Sequence, residues 1–289
     1  MKRLLVISAL ISLLFGCNDE AYESNTGPSN NNPGGTITDN FLTIGSGSYW
    51  IYDVQSSSEN SADMEFTAQD SIYVLQTSGN MFTLGANDGN LANGSMNGIL
   101  TNGTHNISAT TLTFDGNLQL PNTFSDLGID NDLGLSGLVL YDLESNDDDI
   151  MFTDAGNASE TLDLEGNEIP IEVSYEVTTR KVNFHDSKTL NNTTYNNVFE
   201  GMLTISVGVN GTIDLGLFTQ NVDFLEPQNI LETTYYYAEN IGLVRAQSTL
   251  GFSLSSQLTS LLQLANIPIE FPTSLMVENV EELNSYFVD

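Results

Sequence analysis

The sequence predicts an all-β fold: a mainly antiparallel sheet, curled as a half-barrel or doubled as a sandwich, with one short helix in the C-terminal region. Three observations predict it. Apolar and polar residues alternate with period two through most of the second half of the chain. Asn, Gly and Asp clusters punctuate these runs, and only "SLSSQLTSLLQLANIP" carries an apolar stripe at helical spacing. The roughly 250 residues from position 41 onward suffice for one large β domain with a substantial core.

The chain opens "MKRLLVISALISLLFGCNDE". Lys2 and Arg3 precede an uncharged run from Leu4 to Phe15, shorter than the about 20 apolar residues of a spanning helix. The run has the length and flanks of a secretory signal. It closes with Leu14, Phe15, Gly16 and Cys17, which resembles the lipobox of bacterial lipoprotein precursors, Phe15 being bulkier than the usual occupant. That resemblance implies a signal peptide at 1–16, cleavage after Gly16 and thioether-linked diacylglycerol on Cys17, with palmitate-type acyl chains. A lone cysteine has no disulfide partner and makes no metal cluster. Residues 17–40 are rich in Asn, Gly, Ser and Pro and form a flexible tether. The Asn18-Asp19-Glu20 start is similar to the surface-export signal of Bacteroidetes lipoproteins. The implied location is the bacterial outer membrane, lipid-anchored, on its periplasmic or cell-surface side.

The whole sequence carries 38 acidic and 6 basic residues. Losing Lys2 and Arg3 with the leader leaves four basic residues against 38 acidic ones, a formal charge of −34. Nucleic-acid affinity rests on Lys and Arg neutralising phosphates, so nucleic acid is excluded as a partner. The surplus favours solubility and opposes self-association.

Residues 41–289 form the single β-rich domain. In "GSYWIYDV" Trp50, Tyr52 and Val54 share a strand face. Residues 85–165, dense in Gly, Asn and Asp, form a loop-rich elaboration of the same sheet, with short strands and long turns. "EIPIEVSYEVTT" is a half-buried strand with Ile169, Ile171, Val173, Tyr175 and Val177 on one face and Glu172, Ser174 and Glu176 on the other. A two-residue Gly166-Asn167 turn pairs Leu164 with Ile169 and Leu162 with Ile171. "GMLTISVGVNGTIDLGLF" predicts a second hairpin with a Val209-Asn210-Gly211 loop, which puts Val207 by Ile213 and Ile205 by Leu215. A third hairpin, "TTYYYAENIGLVRAQSTLGF", reverses near Glu239 and Asn240. In the helix, Leu254, Leu258, Leu261, Leu262 and Ala265 form the stripe, Ser255 or Ser256 caps the start, and Pro268 stops it. The early Trp-x-Tyr strand, the Tyr-Tyr-Ala…Gly-Leu-Val hairpin and the closing "EELNSYFV" together resemble Bacteroidetes lipoproteins of unknown function, which implies an antiparallel β fold. A helix on a curled sheet is also similar to lipoprotein carriers with a lipid-binding half-barrel.

Catalytic signatures are sparse. Gly-x-Ser-x-Gly occurs nowhere, and His105 and His185 sit in polar contexts that predict surface loops. A carboxylate-pair hydrolase needs only two acids, and acids abound too widely to mark a pair. Calcium suits the oxygen-rich "ESNDDDIMFTD", with Asp147, Asp148, Asp149 and Asp154 as candidate ligands beside Glu144, while "DND" adds Asp130 and Asp132. Trp50, Tyr52, Tyr235 and Tyr237 are candidate ligand-binding aromatics, as a sugar-stacking platform or the lining of an apolar cleft, with core packing as the plainer account. The sequence thus predicts a non-enzymatic, outer-membrane-anchored lipoprotein, without a cofactor unless calcium, that binds a hydrophobic or lipid-like ligand. The alternative is a glycan-binding or adhesive surface module stabilised by calcium.

Overall fold

The computed structural model describes residues 37–38, 41–59, 61–119, 132–164, 167–214, 219–265 and 272–289. The leader, Cys17, most of the tether and Asp130 lie outside the described residues.

Two short strands, β1 (Ile37–Thr38) and β2 (Thr43–Ile44), pair at the entry to the domain. In chain order there follow β3 (Tyr49–Ser58), β4 (Phe66–Ser78), β5 (Met81–Ala86), helix α1 (Ser95–Thr101), β6 (Gly103–Ile107), β7 (Thr111–Gln119) and β8 (Asp132–Asp142). The second half comprises β9 (Ile150–Leu164), β10 (Asn167–Leu190), β11 (Thr193–Asp214), β12 (Thr219–Ala238), β13 (Gly242–Ser253), helix α2 (Ser256–Ala265) and β14 (Ser274–Phe287). Strands β3 to β14 make one antiparallel sheet of 12, in the order β8-β7-β6-β5-β4-β3-β14-β13-β12-β11-β10-β9. It is therefore two meanders joined where the last strand returns beside the first long one.

The sheet curls into a nearly closed barrel, and the closure is made by side chains. On the outer edge of β8, the Val139 carbonyl accepts a hydrogen bond from Thr179 Oγ1 on β10 at 2.7 Å. The next carbonyl, Leu140, accepts one from the Tyr235 hydroxyl on β12, also at 2.7 Å. A buried edge carbonyl costs free energy unless it is paired. Thr179 and Tyr235, both fully buried, satisfy two of them. Among the described residues β9 has a ladder partner on one side alone.

Period-two alternation places the core. Trp50, Tyr52 and Val54 point inward from β3, and Ile169, Ile171, Val173 and Val177 from β10, while Glu172 and Glu176 are exposed. Tyr141 on β8 is the hub, with ring centroids 5.2 Å from Phe41, 5.7 Å from Tyr237 and 6.0 Å from Phe199. The first two are edge-on, and each such contact adds about 0.5–1.5 kcal/mol beyond burial. Helix α2 starts where predicted: Ser255 Oγ accepts the Leu258 N–H at 3.0 Å and donates to the Asp223 carbonyl. Leu254 and Leu258 carry the helix into the core.

Three expectations change. β11 runs straight through Val209-Asn210-Gly211, which pair with Leu225, Asp223 and Val222 on β12, so the second hairpin does not reverse there. Gly211 serves a close approach: a Cβ there would fall 2.7 Å from the Phe224 ring and 3.0 Å from Ile171. The first hairpin is slipped by two residues, pairing Leu162 with Ile169 and Leu164 with Asn167. An even slip keeps every side chain on its face, which is why the alternation still held. The segment at 85–165 contributes strands to the same sheet, but β8 and β9, of 11 and 15 residues, are not the short strands expected, and it contains an unforeseen second helix, α1.

Candidate functional site

One end of the sheet carries an open cleft of about 660 Å³. Three segments distant in sequence build it. The first is Thr193–Asn196 of β11, after a turn in which Asn191 and Asn192 take left-handed φ values of 43° and 64°. The second is the β12–β13 turn at Glu239–Ile241, where Asn240 has φ 59° and donates its N–H to the Phe41 carbonyl at 2.7 Å. The third is Leu283–Tyr286 on β14, where a register shift between Leu283 and Ser285 turns Tyr286 outward.

Tyr195, Ile241 and Leu283 belong to a small apolar cluster with Val198, Ala238 and Val244, and they form the floor. Tyr286, about half exposed, stands as the aromatic wall. Burial pushes the Tyr195 phenol up, partly offset by a hydrogen bond with Thr193, and the nearby Tyr286 and Glu282 raise it further. Threonine, serine and asparagine side chains line the rim. Glu239 is the one charged residue among the lining side chains, and Asn197 Nδ2 holds its Oε2 at 2.5 Å. The cleft therefore offers an apolar floor, a tyrosine face and several neutral hydrogen-bonding groups, within the size range of small-ligand sites.

The four predicted ligand-binding aromatics lie elsewhere. Trp50, Tyr52, Tyr235 and Tyr237 are all buried, and do not make an exposed platform. Their polar atoms are spent on the fold: Tyr52 donates to the Leu243 carbonyl at 2.7 Å, and Tyr235 closes the barrel. Trp50 and Tyr52 reach the cleft only through its lining residues: they pair with Tyr286 and Leu283 across β3 and β14, and Trp50 donates its Nε1–H to the Ile241 carbonyl at 2.6 Å.

The acidic candidates do not converge. Asp149 accepts from the Asn146 N–H and Nδ2, each at 2.9 Å, and these bonds lower its carboxyl pKa. Asp148, in a left-handed conformation, faces Arg180 at 3.6 Å, and Asp147 lies 4.0 Å from the buried Lys181 ammonium. Lys181 Nζ also donates to the Ser145 carbonyl at 2.5 Å, fastening the loop. Asp154 lies in β9 opposite Val177, and Asp132 begins β8. Among the described residues no three His, Cys, Asp or Glu side chains are gathered as a metal site.

Neither histidine is in a loop. His105 is buried in β6, stacked 4.7 Å from Phe82, with Nε2 bonded to the Leu100 carbonyl at 2.8 Å. Burial lowers its pKa to about 4, only partly offset by that bond, so the ring is neutral at physiological pH. His185 lies in β10 on the outer face, its Nε2 2.6 Å from Glu200 Oε2, which Lys188 Nζ also meets at 2.6 Å. Partial burial pushes Glu200 up, but the bonds from Lys188 and His185 outweigh it and hold the carboxyl below the usual range. A cross-strand row continues from Glu200 through Tyr236, Arg245, Glu282 and Asp53. Among the described residues all four cations are ion-paired, through Asp148, Asp147, Glu200 and Glu282.

A further polar cluster was not legible in sequence. Glu281 is fully buried, its Oε1 accepting the Met96 N–H at 2.6 Å and its Oε2 the Asn97 N–H at 2.9 Å. Asp70, equally buried, accepts from the Asn93 and Gly94 N–H groups and from the side chains of Asn87, Asn93 and Asn97. The two acids thus take the backbone donors of Gly94, Met96 and Asn97 at the start of α1, and Asn279 Oδ1 takes that of Ser95 at 3.0 Å. Burial raises Glu281 to about 8 against the lowering effect of its two N–H donors, and the neighbouring Asp70 charge adds to the rise. Gly94 is required here, since a Cβ would collide with the Glu281 carboxyl.

Compared with protein-family models, with curated proteins and with solved structures, the chain matches none.

Proposed function

We propose that this protein is a lipid-anchored, non-enzymatic binding module of the bacterial outer membrane, which holds a neutral, polyhydroxylated, glycan-like ligand in the cleft between β11, the β12–β13 turn and β14. The observation that carries the reading is the lining: a half-exposed Tyr286 over an apolar floor, ringed by uncharged hydrogen-bonding side chains. Aromatic faces stack on sugar rings, and amide and hydroxyl groups orient their hydroxyls. Anionic ligands are disfavoured, because Glu239 is the charge on the cleft and every described cation is already paired. A lipid held on the concave face fits less well, since that face is filled by the chain's own rings, Tyr141, Tyr235 and Phe199 among them. The anchor rests on Cys17 and the tether, as the sequence implies.

Trp50 reports on the cleft through its bond to Ile241. Titration with neutral oligosaccharides should change Trp50 fluorescence saturably, and Tyr286→Ala should weaken binding about tenfold, the loss of roughly 1.4 kcal/mol. A response to fatty acids and detergents but not to sugars would overturn the glycan reading and restore the hydrophobic one.

A further inference from the structure

The sheet has two edges, and the chain treats them differently. β8 is turned inward and its carbonyls are capped by Thr179 and Tyr235. β9 pairs with β10 in unbroken register from Phe152 to Leu164 and, among the described residues, has no strand on its other side. Alternate residues of such an edge direct their N–H and C=O groups away from the sheet, ready to pair with another strand. Natural edges are usually blunted by lysine, proline or a bulge. Between Thr153 and Leu164, β9 has no lysine, proline or bulge, and its charged residues, Asp154, Glu160 and Asp163, are all acidic, so they oppose an acidic or neutral strand and leave room for a cationic one.

Side chains along this edge add a charge pattern. Outward-facing positions on β9 are the small Ala155, Asn157, Ser159 and Thr161, all exposed. Beside them on β10 stand the exposed Glu172 and Glu176, opposite Ser159 and Ala155, with the exposed Glu168 further along the same face. None of these three glutamates is in an ion pair among the described residues. They recur every fourth residue, about 13 Å apart along a strand. An added strand would lie about 4.8 Å beyond β9, and the small outward residues would let long side chains lie across it towards β10. A second copy of this chain is a poor occupant, because two such edges would bring glutamates against glutamates.

We infer that β9 is a docking edge for an extended, cationic segment of a protein partner, added as a strand and carrying lysine or arginine at every fourth residue. Main-chain bonds supply the affinity of such an addition and the alternate side chains supply its selectivity. The inference is independent of the cleft.

The probe is a short peptide of alternating threonine and valine with lysine at every fourth position, titrated onto the full mature chain and followed by hydrogen exchange. Binding is expected with protection of alternate amides between Thr153 and Thr161. The exposed substitutions Glu172→Lys and Glu176→Lys together should lower affinity at least tenfold, and Ala158→Pro or Asn157→Pro should abolish protection at β9. Tyr286→Ala should leave all of this unchanged. Failure of the peptide to bind, equal binding of its glutamate counterpart, or binding without protection on β9 would each overturn the inference.

Discussion

Replacing Glu281 by glutamine should remove a loss of stability that the wild-type protein suffers as pH rises, at a fixed cost that shows in acid. The carboxyl is fully buried beside Asp70, and its pKa in the fold is about 8 against an ordinary 4.5. Between those two values the folded chain keeps a proton that the unfolded chain releases. The contribution is therefore complete below pH 4.5 and is lost as pH rises towards 8, at about 1.4 kcal/mol per pH unit. The full loss is about 5 kcal/mol, a large share of the stability of a domain. Glutamine copies the acid in shape and does not titrate, but it keeps one acceptor oxygen where the acid offers Oε1 to the Met96 N–H and Oε2 to the Asn97 N–H, so one of the two donors loses its partner. Glu281→Gln should thus fall about 1–3 kcal/mol below wild type at pH 4.5, the cost of the unpaired N–H, and the difference should move in its favour by about 5 kcal/mol by pH 9. Urea unfolding followed by the single tryptophan, with unchanged slopes in denaturant, measures both. Parallel curves for the two proteins from pH 5 to 9 would refute the reasoning, because they would mean that Glu281 is ionised in the fold without penalty.

His105 should behave in the opposite sense. Its folded pKa of about 4 lies below the ordinary 6.5, so about 3 kcal/mol of stability is lost as pH falls from 6.5 to 4. Its ring resonances should titrate near pH 4, and a midpoint near 6.5 would show that the ring is not held neutral between Phe82 and Phe114. Calcium and chelators should leave Tm unchanged, because Asp147, Asp148 and Asp149 already face Lys181, Arg180 and Asn146. A rise in Tm with calcium that Asp149→Asn abolishes would reinstate the metal site.

Whatever depends on neighbours in sequence was legible. Alternation put Trp50, Tyr52 and Val54 on one face, the Glu239-Asn240 reversal follows from local turn chemistry, and Ser255 caps the helix it precedes. The Asn210-Gly211 pair misled because glycine has two uses, a left-handed turn or a close approach, and the ring of Phe224 that decides between them comes from another strand. Helix α1 escaped notice for a similar reason. It has seven residues, contains Gly98, and lacks a side-chain cap of its own at Gly94. The carboxylates of Asp70 and Glu281, far away in the chain, hold its first turn. The cleft was invisible on the same grounds, being assembled from three turns and bulges that are unremarkable singly.

The way the sheet closes explains why its candidate sites lie on the periphery. Had β8 and β9 formed a ladder, the barrel would have had no edge and a rounder lumen. Instead β8 is drawn in against β10 and β12 by Thr179 and Tyr235, which brings Tyr141 among Phe41, Phe199 and Tyr237 and fills the interior with rings. A packed interior leaves little room to receive a ligand. What closure leaves over is the strand ends, where the β12–β13 turn and the β14 bulge part to form a cleft, and β9, which among the described residues pairs along one side only. Both follow from a sheet fastened through hydroxyl groups at its seam. Removing those hydroxyls with Thr179→Val and Tyr235→Phe should loosen the seam before it disturbs either site.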